Sequence, residues 1–82
     1  MNEITQDQKS VIKNRIIWLR SYRADNFPPE TFMKWWESQD PSEMENQIET
    51  LTKFQASELI SEAILRNWDN VIALWKKYVN HS

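Results

Sequence analysis

Apolar residues recur along this chain at helical rather than alternating intervals. After Thr5, the residues Val11, Ile12, Ile16, Trp18, Leu19 and Tyr22 return every three or four positions, which predicts a helix over about residues 6–22 with Ile17 off its stripe. The stretch "ADNFPPE" then interrupts it, because two successive prolines remove backbone donors and push Phe27 towards an extended conformation. Pro29 suits the first position of a second helix over about 29–38, which sets Phe32, Trp35 and Trp36 at i, i+3 and i+4 on one aromatic face.

Asp40, Pro41 and Glu43 form a third start signal, for a helix over about 41–50. That segment is acidic and has only Met44, Ile48 and Leu51 to bury, so it is the element expected to be least stable. A fourth stripe, Ala56, Leu59, Ile60, Ala63 and Ile64, predicts a helix over about 53–66. Around "RNWDN" the apolar face rotates, and Trp68, Val71, Ile72, Trp75, Tyr78 and Val79 define a fifth helix over about 69–79. Asn67 or Asp69 can cap it, or one long helix over 53–79 bends there; the spacing favours a break and leaves both open.

Two phrases nearly repeat, "ITQDQKS" at 4–10 and "LTKFQAS" at 51–57. In each, a Thr precedes a Gln by three residues, Thr5 with Gln8 and Thr52 with Gln55. This is the spacing at which hydroxyl and amide cap one helix start reciprocally. Ile4 and Leu51 stand where a hydrophobic staple begins, and only the second copy has an apolar inner partner, Ala56. Two copies fall short of the three units a solenoid needs.

With no segment of period two, the fold class is all-α, a compact bundle of four to five short helices in one domain, 1–82. The expected core is Ile12, Ile16, Leu19, Phe32, Trp36, Leu59, Ile60, Ile64, Val71, Ile72 and Trp75, framed by the first, fourth and fifth helices.

Composition narrows the function classes. At 82 residues, 40% hydrophobic and 27% charged, the chain supports one core and not two. It contains no Gly and no Cys, which excludes glycine-rich phosphate loops, disulfides, thiolate metal sites and a cysteine nucleophile. The only His is His81, at the penultimate position, where it reads as a solvated tail residue. Glu43, Glu45, Glu49, Glu58 and Glu62 read as a solvated acidic face rather than a metal site, so no metal, cofactor or catalytic residue is assigned and the chain is read as a non-enzyme. With no basic start, apolar leader or membrane-length apolar run, the expected location is the cytoplasm.

Two surfaces remain as candidates. Adjacent helical residues point about 100° apart, so burying one of Trp35 and Trp36 leaves the other near the rim. Together with Phe27 they form the candidate protein-binding residues. Lys9, Lys13, Arg20 and Arg23 fall on one stripe of the first helix, within a run from 8 to 23 that has five basic and no acidic residues. Such a stripe can contact phosphates; alternatively its cations pair with the acidic third helix.

The combination of Thr5, Gln8 and Ile12 with Leu51, Thr52, Ala56, Ser57, Leu59 and Ile60 resembles a small helical module of bacteriophage and mobile-element proteins. That module pairs a Thr-x-x-Gln helix start with a later Leu-Thr-x-x-x-Ala-Ser-x-Leu-Ile helix. The resemblance covers about residues 4–64 in outline, without the Trp-rich middle or the last helix. It implies no catalytic residues. Because similar segments occur in recombination and single-strand-associated proteins, it supports the nucleic-acid alternative. The leading expectation is a small non-enzymatic interaction protein, phage or mobile-element encoded, that binds and modulates a larger protein. The alternatives are a nucleic-acid-binding accessory using the basic stripe, and a homo-oligomer formed through the last helix.

Overall fold

Both repeated phrases start helices, and they do so side by side. In the computed structural model, which describes residues 2–20 and 27–79, Thr5 caps α1 (Gln6–Ile12) and Thr52 caps α4 (Lys53–Ile64), each through a complete capping box. The residues just ahead of the two caps meet in one antiparallel bridge, Glu3 with Thr52, where Ile4 donates to the Leu51 carbonyl at 3.0 Å and Lys53 to that of Asn2 at 2.7 Å. Gln8 then joins the two starts. Its Oε1 accepts from the Thr5 amide at 3.1 Å and its Nε2 donates to the Lys53 carbonyl at 3.0 Å. Ile4 and Leu51 are both buried at this junction.

The first helix does not continue as predicted. From Lys13 to Ile17 the backbone widens into a π-turn, with the Trp18 amide donating to the Lys13 carbonyl at 2.8 Å. A π-turn advances by about 82° per residue instead of about 100°, so it rotates consecutive positions differently relative to Ile12. Ile16 and Ile17 thereby both face the core, fully buried, and Trp18 turns outward. This reverses two expectations, since the α-helical wheel leaves Ile17 out and takes Trp18 in. The turn ends at Leu19, which adopts the left-handed region at φ 51° and is itself buried, and residues 21–22 of the predicted helix lie outside the described residues.

The other helices are close to their predicted ranges. They are α2 (Glu30–Glu37, with Pro29 as its N-cap rather than its first residue), α3 (Pro41–Gln47, continued by a 3-10 turn Ile48–Thr50) and α5 (Trp68–Tyr78). The short α3 is well anchored: Met44, Ile48 and Leu51, the three apolar residues expected to hold it poorly, are essentially fully buried.

A true break separates α4 from α5. Arg66 takes the left-handed conformation, φ 61°, that a C-terminal glycine usually supplies. Asn67 donates its amide to the Glu62 carbonyl at 2.9 Å and Arg66 to that of Ala63 at 3.1 Å, the paired bonds of a Schellman end. A non-glycine residue there costs about 1–2 kcal/mol, partly offset by the unfolded-state entropy that glycine adds. Arg66→Gly is therefore expected to stabilise the chain by about 1 kcal/mol and Arg66→Val to destabilise it, as read from urea unfolding midpoints.

Among the described residues the elements form an all-α bundle with no strand beyond that single bridge. Its radius of gyration, 11.8 Å, is that of a compact chain of this length, about 11.7 Å. α4 packs between α1 and α5, as the expected frame requires, while α2 lies on α5 and α3 on the π-turn. No described helix is long and apolar enough to cross a membrane. The core joins Ile12, Ile16, Ile17, Phe32, Leu59, Val71 and Trp75. Trp36, Ile60 and Ile72 pack at its edge rather than inside it. Ile64, expected in the core, is 54% exposed, because α4 is covered by neighbours on one half of its circumference and Ile64 lies beyond that half.

Candidate interaction surface

The aromatic residues of α2 form a seam with α5. Phe32, fully buried, places its ring 4.5 Å from Trp68 and 5.4 Å from Trp35, and Trp35 meets Trp75 edge to face at 6.1 Å. Such tilted contacts add about 0.5–1.5 kcal/mol each beyond the area they bury. Trp36 points elsewhere, as adjacent helical residues must. Its Nε1 donates to the Ile17 carbonyl at 2.8 Å. In a continuing α-helix that carbonyl would accept from the amide four residues on, but the chain turns away at Leu19. The indole therefore satisfies an acceptor that the π-turn frees.

The three candidate protein-binding residues thus have different environments. Trp35 and Trp36 are half-buried, one edge in the core and one at the surface, while Phe27 is 52% exposed ahead of Pro28 and Pro29.

The basic stripe is largely engaged. Lys9 pairs with Glu49 at 2.5 Å and Lys13 with Glu45 at 3.8 Å, so its two lysines face the acidic third helix, the pairing raised as the alternative to phosphate contact. Arg20 sits over the exposed ring of Trp18, 5.4 Å from its centroid, and Arg23 lies outside the described residues. Among the described residues no three metal-ligating side chains come together, and no pocket opens.

Among the described residues, four further large apolar side chains are exposed that neither candidate set contains. Trp18 is 36% exposed, and Phe54, Ile64 and Leu65 on or just after α4 are 71%, 54% and 67% exposed. For Phe54 a signal was present in the sequence, since it lies off the stripe of Ala56, Leu59 and Ala63 and can only point outward. Beside this exposed face, Tyr78 of α5 donates to both oxygens of Glu58, at 3.3 and 3.2 Å. Burial first, and then the hydrogen bond and charge of Glu58, raise the pKa of the Tyr78 phenol above its ordinary value of 10.0. Because the folded state favours the neutral phenol, this stabilisation is complete below the unfolded pKa near 10 and is lost as pH rises through the higher folded value. Tyr78→Phe is expected to flatten the decline of the unfolding midpoint above pH 10, and an unchanged decline would contradict the contact.

Comparison with known proteins adds no relative. The chain matches no family model, no curated protein and no solved structure.

Proposed function

We propose that this chain is a small non-enzymatic interaction protein of the cytoplasm that binds and modulates a larger protein partner. The mobile-element origin implied by its resemblance belongs to the same proposal. The observation that supports it is the set of large apolar side chains held outside a closed core: Phe27, Trp18, Phe54, Ile64 and Leu65, with the half-buried Trp35 and Trp36 beside them. Aromatic residues anchored at one edge and exposed at the other lose little conformational freedom on docking, which is why they dominate binding energy at interfaces.

Partner capture by the immobilised chain from extracts of its native cells tests this reading. Phe27→Ala, at an exposed site, is expected to leave unfolding unchanged and to weaken capture about ten-fold. Trp35→Ala should do the same once its loss of stability is allowed for by working well below its unfolding temperature. Undiminished capture by both variants would remove this surface from the proposal.

A second reading, a nucleic-acid-binding accessory, is favoured by one observation. Arg20 over Trp18 offers a cation beside a surface-exposed indole, the pairing that stacks a base and meets its phosphate. Trp fluorescence during titration with single-stranded oligonucleotide separates the two. Saturable, salt-sensitive quenching that is lost in Lys13→Glu/Arg20→Glu would support nucleic acid, and no quenching at low salt would exclude it.

A further inference from the structure

We propose that the outer face of α4 docks an amphipathic helix of a partner protein, which lays apolar side chains over Phe54, Ile64 and Leu65 and sets an arginine or lysine between Glu58 and Glu62. This rests on the reading of the chain as a protein-interaction module and names the chemistry of the partner.

The face is continuous. At about 100° per residue, Ser61 and Leu65 fall about 20° to either side of Phe54, and Ser57 and Ile64 lie about 60° and about 80° from it on the side of Ser61. From Phe54 to Leu65 the stripe runs about 16 Å, three turns of a partner helix. Large apolar groups at its ends and small serines along its middle leave room for a second helix to approach closely, in the manner of helix-in-groove recognition.

Charge decides the occupant. Residues 54–65 carry two charged side chains, Glu58 and Glu62, and no cation. Their i, i+4 spacing makes a like-charge pair that weakens an isolated helix. Neither carboxylate has an ion-pair partner among the described residues; Glu58 accepts from Tyr78, and Glu62 from Asn67 at 2.8 Å and Asn70 at 3.4 Å, all neutral donors. A guanidinium or ammonium placed between them turns that repulsion into attraction and fixes the register of the docked helix. A second copy of this chain, docking antiparallel through the same face, brings two more carboxylates to the middle of the stripe, while its nearest cations, Lys53 and Arg66, lie at the ends rather than beside Glu58 and Glu62. An anionic membrane surface brings further negative charge.

Selection of a displayed library of helical peptides about fifteen residues long against the full chain tests the proposal. Enriched peptides are expected to carry an apolar stripe interrupted by one Arg or Lys, and to bind more weakly as salt rises. Their affinity should fall about ten-fold or more with Phe54→Ala/Leu65→Ala and about three-fold to ten-fold with Glu58→Gln/Glu62→Gln, while neither variant changes the unfolding midpoint by much. No enrichment, or enriched peptides indifferent to these substitutions, would overturn it. So would sedimentation showing a dimer of the chain that Phe54→Ala/Leu65→Ala dissociates, since the occupant would then be a second copy. Peptides whose binding is lost with Phe27→Ala instead would overturn this assignment and leave the interaction reading in place.

Discussion

Replacing Ile17 by Ala is expected to destabilise the chain by about 2–5 kcal/mol, the range for deleting a fully buried branched side chain, while Trp18→Ala at the neighbouring position costs about 1 kcal/mol or less. The order runs against residue size and against the α-helical wheel, and it follows from the π-turn alone. The five residue steps from Ile12 to Ile17 make little more than one full revolution there, so Ile17 returns to the core side and Trp18 passes beyond it. Urea unfolding of the two variants reads the difference directly. A larger loss at Trp18 than at Ile17 would mean that the first helix is a regular α-helix in solution. Trp36→Phe adds a second handle on the same feature, since it keeps most of the ring but leaves the Ile17 carbonyl without the indole donor.

Truncation of Trp75 is expected to have an effect of similar or greater size, about 3–5 kcal/mol for Trp75→Ala, because this fully buried indole links the α2 seam to the α5 core. Its Nε1 is buried without a hydrogen-bond partner among the described residues. A buried donor left unpaired costs about 1–3 kcal/mol, and removing it recovers that penalty. Trp75→Phe therefore loses packing but relieves the orphaned donor, and its net cost is expected to be about 1–2 kcal/mol, well below that of the alanine variant. Nearly equal losses for the two substitutions would indicate that the indole N–H is satisfied in solution.

These two residues also mark where the sequence was legible. Trp75 belongs to a plain helical stripe, and its burial follows from spacing. The doubled Thr-x-x-Gln phrase was legible for the same reason, because a capping box is closed entirely within four residues. That the two phrases also meet across the fold is not a local property. It depends on the bridge between Glu3 and Thr52. Ile17 was misread because the π-turn is held by a contact 19 residues away, the indole of Trp36 on its carbonyl. Ile64 was misread because periodicity shows the direction of a stripe but not how far neighbours cover it. The weak-looking third helix is secured by the tertiary burial of Met44 and Ile48, beyond what its propensity suggests.

The candidate site divides along the same line. The exposure of Phe27 was inferable from the prolines beside it, and the pairing of Lys9 and Lys13 with Glu49 and Glu45 was raised by charge pattern without being fixed by it. On the exposed face of α4, Phe54 was legible from its place off the apolar stripe, whereas the exposure of Ile64 and Leu65 needed the fold, since α1 and α5 occupy the other half of the helix.

On the proposed function, side chains such as Phe27 stay outside the core to meet a protein. A photoreactive phenylalanine analogue in place of Phe27, irradiated in extracts of the native cells, tests it most directly. One discrete cross-linked protein species is expected, suppressed by excess unlabelled chain and much less by excess Phe27→Ala. Irradiation that yields no discrete protein adduct, or only adducts with nucleic acid, would contradict it.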